Sequence, residues 1–126
     1  MIITKSEILD KEDVQIEKLE IPEWDTEICI RTISSFQKDH FESSLIDTRT
    51  GSQRRYFQNI RARFAVLVIC DESGTLIFDE SDINSLGHKS GSALDRIWDA
   101  ARKLNRFSDE DIEELRGNSK GDQNDS

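Results

Sequence analysis

Val14-Gln15-Ile16-Glu17-Lys18-Leu19-Glu20-Ile21-Pro22-Glu23-Trp24-Asp25-Thr26-Glu27-Ile28-Cys29-Ile30-Arg31-Thr32-Ile33 is the stretch that decides the fold. Val14, Ile16, Leu19 and Ile21 alternate imperfectly with acids, and Glu27 to Ile33 alternates cleanly, which is the period of a strand with one buried face. Between them Pro22, Glu23, Trp24 and Asp25 form a turn, where the chain's single proline does least harm by lacking an N–H. The stretch therefore predicts an N-terminal β-hairpin over about 14–33. Beyond it the apolar period lengthens to that of helices, over about 34–115. The fold class is α+β: an N-terminal β-hairpin followed by a mainly α-helical small domain, spanning residues 1–116.

Working outward, residues 4–10 read as a short helical turn capped by Thr4 or Ser6. Ser34 followed by Gln37 is a capping box that opens a helix to about residue 46, with Phe36, His40, Phe41 and Leu45 on or near one side. Residues 47–53 are a polar loop. Residues 56–69 read as one central, buried helix, with Phe57, Ile60, Phe64, Leu67 and Val68 on a stripe that Ala62, Ala65, Val66 and Ile69 widen. Residues 71–74 are a turn, and residues 76–78 are either a stub strand or a tucked connection. Residues 79–86 form a short helix ended by Gly87, and residues 90–104 are strongly amphipathic through Leu94, Ile97, Trp98, Ala101 and Leu104. Ser108 and Asp111 open a last short helix, and the polar tail 117–126 is expected to be disordered.

A chain of 126 residues suits one domain with one modest core. Its 17 basic and 26 acidic side chains leave a net charge of −9, which argues against bulk affinity for nucleic acid or anionic lipid. The longest apolar run, residues 64–70, falls far short of the roughly 20 residues that span a bilayer. The N-terminus meets acid at once and lacks the basic-then-apolar order of a secretory leader, so Cys29 and Cys70 are expected to be reduced, buried thiols.

The chemical motifs fail one by one. Asp71-Glu72-Ser73-Gly74-Thr75 starts like a calcium loop, but Leu76 stands where the sharp bend needs glycine and Asp82 where a bidentate glutamate is needed. Cys29, His40, Cys70 and His88 lie on four different elements without the close pairs that structural zinc requires. Both cysteines sit in apolar runs that raise a thiol pKa, which speaks against a Cys/His nucleophile. No glycine-rich phosphate loop is present, and the many acids read as solvated surface. The expectation is a protein that is not an enzyme and takes no cofactor or metal.

Charge is distributed unevenly. Residues 47–70 carry 5 basic and 1 acidic side chain between two acidic flanks. Arg49, Arg54, Arg55, Arg61 and Arg63 make up this centre, with Arg54 and Arg61 seven apart and so on one helical face. Pairing with the acidic flanks or docking of an acidic partner are the readings it suggests. Trp98 belongs to the core, while Trp24 is either an exposed anchor or a lid folded back on the domain.

Taken in order, these segments resemble the tail assembly chaperones of long-tailed bacteriophages. The resemblance runs through Ile3-Thr4-Lys5-Ser6-Glu7-Ile8-Leu9, the Ile21-Pro22-Glu23-Trp24 turn, Arg31 to Leu45, Asn59-Ile60-Arg61-Ala62-Arg63 into Val68-Ile69-Cys70-Asp71-Glu72-Ser73-Gly74, and on through Leu94-Asp95-Arg96-Ile97 to Ser108-Asp109-Glu110-Asp111-Ile112-Glu113-Glu114-Leu115. It implies a non-enzymatic protein of the host bacterial cytoplasm that coats the tape measure protein, helps recruit tail tube subunits and is absent from the finished virion. It also implies a longer frameshift product carrying a tube-contacting domain, and a homo-oligomer is compatible with it. Such proteins lack invariant functional residues, so the expected partner-binding residues, Trp24, Arg54, Arg55, Arg61 and Arg63, rest on the residues themselves. A small acidic inhibitor, a DNA mimic acting on a host nuclease, is the alternative that charge and size allow.

Overall fold

Local hydrogen bonds start most of the elements. In the computed structural model, which describes residues 1–47, 54–55 and 58–107, Thr4 and Glu7 close a capping box at the head of α1 (Lys5–Leu9). Ser34 and Gln37 do the same for α2 (Ser35–Ser44). The hairpin consists of β1 (Ile16–Ile21) and β2 (Thr26–Arg31), joined by a 3-10 turn over Pro22–Trp24 that Asp25 closes in the left-handed region at φ 51°. The register pairs Ile16 with Arg31 and Ile21 with Thr26.

After α2 the backbone of β3 (Ile46–Asp47) pairs antiparallel with β4 (Arg54–Arg55). The central helix is shorter than its apolar pattern suggests. Asn59, at φ 57°, caps the N-terminus of α3, which runs over Ile60–Val68, and residues 56–57 of the expected helix lie outside the described residues. Its C-terminal end passes without a turn into β5 (Ile69–Cys70), which adds to β2 and makes a three-stranded sheet ordered β1-β2-β5. The β-branched Ile69 pairs with Ile30 there, and this long-range partner overrides the helical period. Arg54 consequently lies in a strand and shares no helix face with Arg61, contrary to the sequence expectation.

The turn at 71–74 forms as expected: the Asp71 carboxylate accepts from the Ser73 and Thr75 N–H groups at 2.9 Å each, and Gly74 takes φ +91°. Leu76 makes an isolated bridge to Cys70, so the 76–78 segment is a stub beside β5. A 3-10 turn at Glu80–Asp82 leads into α4 (Ile83–Leu86), and Gly87 follows it because a Cβ there would stand 2.6 Å from the Asn59 side-chain oxygen. The amphipathic helix α5 spans Gly91–Leu104, with the Ser90 hydroxyl accepting from the Ala93 N–H. The last short helix and the polar tail expected from the sequence lie outside the described residues.

The core forms where α3 meets α5 and the sheet. Phe64, 1% exposed, has Phe41 at 5.1 Å, Trp98 at 5.5 Å and Phe107 at 5.8 Å between ring centroids. Phe41 and Leu45, four residues apart on α2, are buried, whereas Phe36 points elsewhere and is 83% exposed. Five residues before Phe41 is about 140° around a helix, which puts Phe36 off the inner face. Asn105 ties the layers together: its side chain accepts from the Ile33 N–H at 2.8 Å and donates to the Ala101 carbonyl at 2.9 Å. Among the described residues no helix is long and apolar enough to cross a membrane.

Two substitutions separate these roles. Phe64→Ala should destabilise the protein by about 3–5 kcal/mol in urea unfolding, because it empties the centre of the ring cluster. Phe36→Ala should change stability by less than about 0.5 kcal/mol.

Candidate partner-binding surface

β1 is the border strand of its sheet. Thr32 N–H donates to the Gln15 carbonyl, which sets the phase of the ladder and turns the N–H and C=O groups of Ile16, Lys18 and Glu20 away from β2. Among the described residues these groups have no backbone partner. Beside this edge, β1 and α5 enclose a groove of about 660 Å³. Leu19, Ala100 and Leu104 form an apolar strip in a lining that is otherwise polar, its charged groups including Glu17 and Glu20 from β1 and Arg96, Asp99 and Lys103 from α5.

The hairpin turn is pinned to the same helix. The Glu23 carboxylate accepts from the Ser92 hydroxyl at 2.8 Å and from the Arg96 Nε at 2.8 Å, and Arg96 also lines the groove. These bonds hold the Glu23 carboxyl below its ordinary pKa, the Ser92 hydroxyl contributing most and Arg96 adding to it. Trp24 is half-buried and packs against the core, so of the two sequence readings the structure favours the ring folded back on the domain.

The arginine centre does not form one patch in the described structure. Arg61 lies on the outside of α3 and forms an ion pair with Asp95 of α5, as a cation pairing with an acidic flank would. Arg63, two residues on and so near the opposite side of the helix, is half-buried. It donates to the Ser44 carbonyl at 2.8 Å, the Ser44 hydroxyl at 3.0 Å and the Gln58 carbonyl at 3.0 Å, which ties α2 to α3. Arg54 and Arg55 are placed by their backbone in β4, opposite Asp47 and Ile46. The histidines stay apart: His40 bonds Glu80 at 2.9 Å, and His88 bonds the Asn84 carbonyl at 2.7 Å. Among the described residues no three His, Cys, Asp or Glu side chains converge on a metal position.

Sequence reasoning missed the groove residues. Arg96, Ala100 and Lys103, spaced four and three apart, do form a second stripe on α5 beside the apolar one. That signal was available; the strand edge facing it was not.

The fold and this surface define a small α+β domain whose prominent features are a groove and, beside it, a strand edge without a backbone partner among the described residues. A family model described as "Phage tail assembly chaperone" matches residues 4–118, and the chain belongs to that family. A solved structure of the bacteriophage HK97 tail assembly chaperone superposes with a TM-score of 0.58 at 13% identity, covering 82% of this chain and 95% of that one. At that identity the likeness shows the fold. A comparison with curated proteins finds no match.

The Glu23 pin carries a pH signature. Because its folded-state pKa is lowered, the stabilisation is fully present above the unfolded carboxyl pKa and is lost as pH falls through the folded value. Asp71 and Asp79, lowered chiefly by the Ser73 and Ser81 hydroxyls, act in the same direction. The gap in thermal midpoint between the wild type and Glu23→Gln should therefore be present at neutral pH and close on acidification below the carboxylate range, read by circular dichroism across a pH series.

Proposed function

We propose that this protein is a non-enzymatic tail assembly chaperone that binds the tape measure protein, keeps it from aggregating, and helps bring tail tube subunits to it in the host bacterial cytoplasm, leaving before the virion is finished. Family membership supports the general role. The observation that carries the binding mode is the β1–α5 groove, which sets an apolar strip among charges of both signs beside a strand edge that has no backbone partner among the described residues. Such a surface suits one amphipathic segment of a long partner, through side chains in the groove, main-chain bonds along the edge, or both. A long partner with many such segments would take several copies, and copies held side by side would raise one another's effective concentration.

Trp24, Arg54, Arg55, Arg61 and Arg63 stay in the proposal with different parts. Trp24 and the Glu23 pin steady the end of the hairpin next to the groove. Arg63 acts through the fold by holding Ser44. Arg61 is half-exposed but paired with Asp95, so an acidic segment of the partner would have to displace that carboxylate, and Arg54 and Arg55 of β4 complete the cationic set put to the test.

Co-expression with the tape measure protein of the same gene cluster, then affinity capture and light scattering, tests the reading. The expected result is a soluble partner carrying multiple copies of this chain. Ala100→Glu combined with Lys103→Glu should cut capture by roughly tenfold, the effect of losing about 1.4 kcal/mol of binding, while the circular dichroism spectrum stays that of the wild type. Arg54→Glu with Arg55→Glu tests the cationic set in the same assay. A partner that stays insoluble while this chain elutes alone would end the chaperone reading. Undiminished capture by the folded groove variant would move the interface elsewhere.

A further inference from the structure

Cys29 and Cys70 lie 41 residues apart in sequence, yet they face each other in the sheet. The register of β2 and β5 sets Cys29 directly opposite Cys70. The bonding phase fixes the kind of rung. Thr32 N–H donates to Gln15 on one side of β2, so alternation turns the backbone groups of Cys29 towards β5. Ile77 N–H donates to the Ile69 carbonyl, so the backbone groups of Cys70 turn towards β2. Cys29 and Cys70 therefore form a hydrogen-bonded rung, where Cα atoms stand about 5.5 Å apart and both side chains leave the same face. That separation falls inside the Cα window a disulfide requires, roughly 4.4–6.8 Å, while the Cβ atoms of such a rung stand about 5.5 Å apart and must draw in to about 4 Å, so closure needs a local shift of β5 against β2.

The face is the one turned away from the core. Ile30 and Ile69, the neighbouring rung, point inward and are 0% and 1% exposed. Both thiols are free, and they line a cleft of about 350 Å³ whose other walls include Lys18, Glu27, Asp71, Glu72 and Ile77. We propose that this rung is a redox modification site, at which Cys29 and Cys70 close a reversible cross-strand disulfide when a small, uncharged two-electron oxidant enters the cleft. The inference is independent of what the β1–α5 groove binds.

The chemistry assigns an order. Burial pushes the Cys70 thiol up, the neighbouring Cys29 and Asp71 adding to this and Arg31 opposing it. Cys29, 8% exposed against 3% for Cys70, is the thiol that an incoming reagent meets first. With an azo oxidant such as diamide, the Cys29 thiolate adds to one nitrogen of the N=N bond and the other nitrogen takes up a proton. The Cys70 thiolate then attacks the Cys29 sulfur, the S–N bond breaks, and the departing nitrogen is protonated. Two S–H bonds are lost, one S–S bond forms, and the azo group leaves reduced to the hydrazine. Three acids at the cleft, Glu27, Asp71 and Glu72, oppose an anionic disulfide such as oxidised glutathione. The closed bond would tie β2 to β5 and so the hairpin to the end of α3.

The test treats the folded full chain with diamide, then unfolds it in urea with iodoacetamide present so that any remaining thiol is alkylated, and reads intact mass and joined peptides. The expected result is a monomer lighter by two hydrogens, with the Cys29 and Cys70 peptides linked and no alkylation. Closure should be at least roughly tenfold faster in the folded protein than in urea, because the register supplies the effective concentration. Cys29→Ala and Cys70→Ala should each give no internal link. Full alkylation of the folded wild type, a bond joining two chains, or closure no faster than in urea would each overturn the proposal.

Discussion

The packing around Phe64 is the constraint on which the rest depends. Its ring is held between Phe41 from α2, Trp98 from α5 and Phe107 beyond α5, so three segments distant in sequence are fixed by one side chain on α3. Aromatic rings bring large buried area with few rotatable bonds, which makes such a contact decisive in a domain this small. α3 can stand at the centre because Ala62, Phe64, Ala65, Val66 and Val68 leave no wide polar face to keep in water. Its two arginines sit near its start and reach outward, Arg61 to Asp95 and Arg63 to Ser44, which clamps the helix ends of its neighbours around the same core.

That central position also explains the sheet. Where a helix ends inside the protein, the backbone that follows must find hydrogen-bond partners, and extending the chain directly into a strand supplies them at once. Val68 is helical and Ile69 is extended, with no turn residue between them. The hairpin thereby gains a third strand and becomes part of the core instead of an isolated two-stranded ribbon, which would be marginal alone. The same step brings Cys70 beside Cys29.

What was legible in the sequence follows from interaction range. The capping box at Ser34, the Pro22–Trp24 turn, the Asp71 turn and the amphipathic α5 depend on residues a few positions apart and stand as read, and at α1 the cap left open between Thr4 and Ser6 is Thr4. The hairpin was legible because its two strands are neighbours in the chain. What escaped needed a distant partner: Ile69 opposite Ile30, Asn105 under Ile33, Arg63 on Ser44, and the edge of β1 facing α5. Apolar content alone could not tell the last helical turn of α3 from the first residues of β5, since a buried helix and a buried strand look alike over so short a run. Arg63 illustrates the same limit for the site. In sequence it is one of a basic cluster, and only the fold shows that its guanidinium holds a carbonyl.

The cationic centre that stands out in the sequence is split up by the fold. Cations that are engaged inside the domain, as Arg96 with Glu23 and Arg61 with Asp95, lose much of their power to attract a partner, because their field is already met by a carboxylate. The surplus of acids then remains as a general repulsion among copies and towards polyanions. On the proposed reading, docking on such a chain relies on short-range contacts, and the β1–α5 surface offers an apolar strip among charges of both signs and, among the described residues, main-chain groups without a backbone partner. On the reading proposed above, acidity is a general background, and selectivity would fall to the few apolar positions of the groove and to the β1 edge beside it.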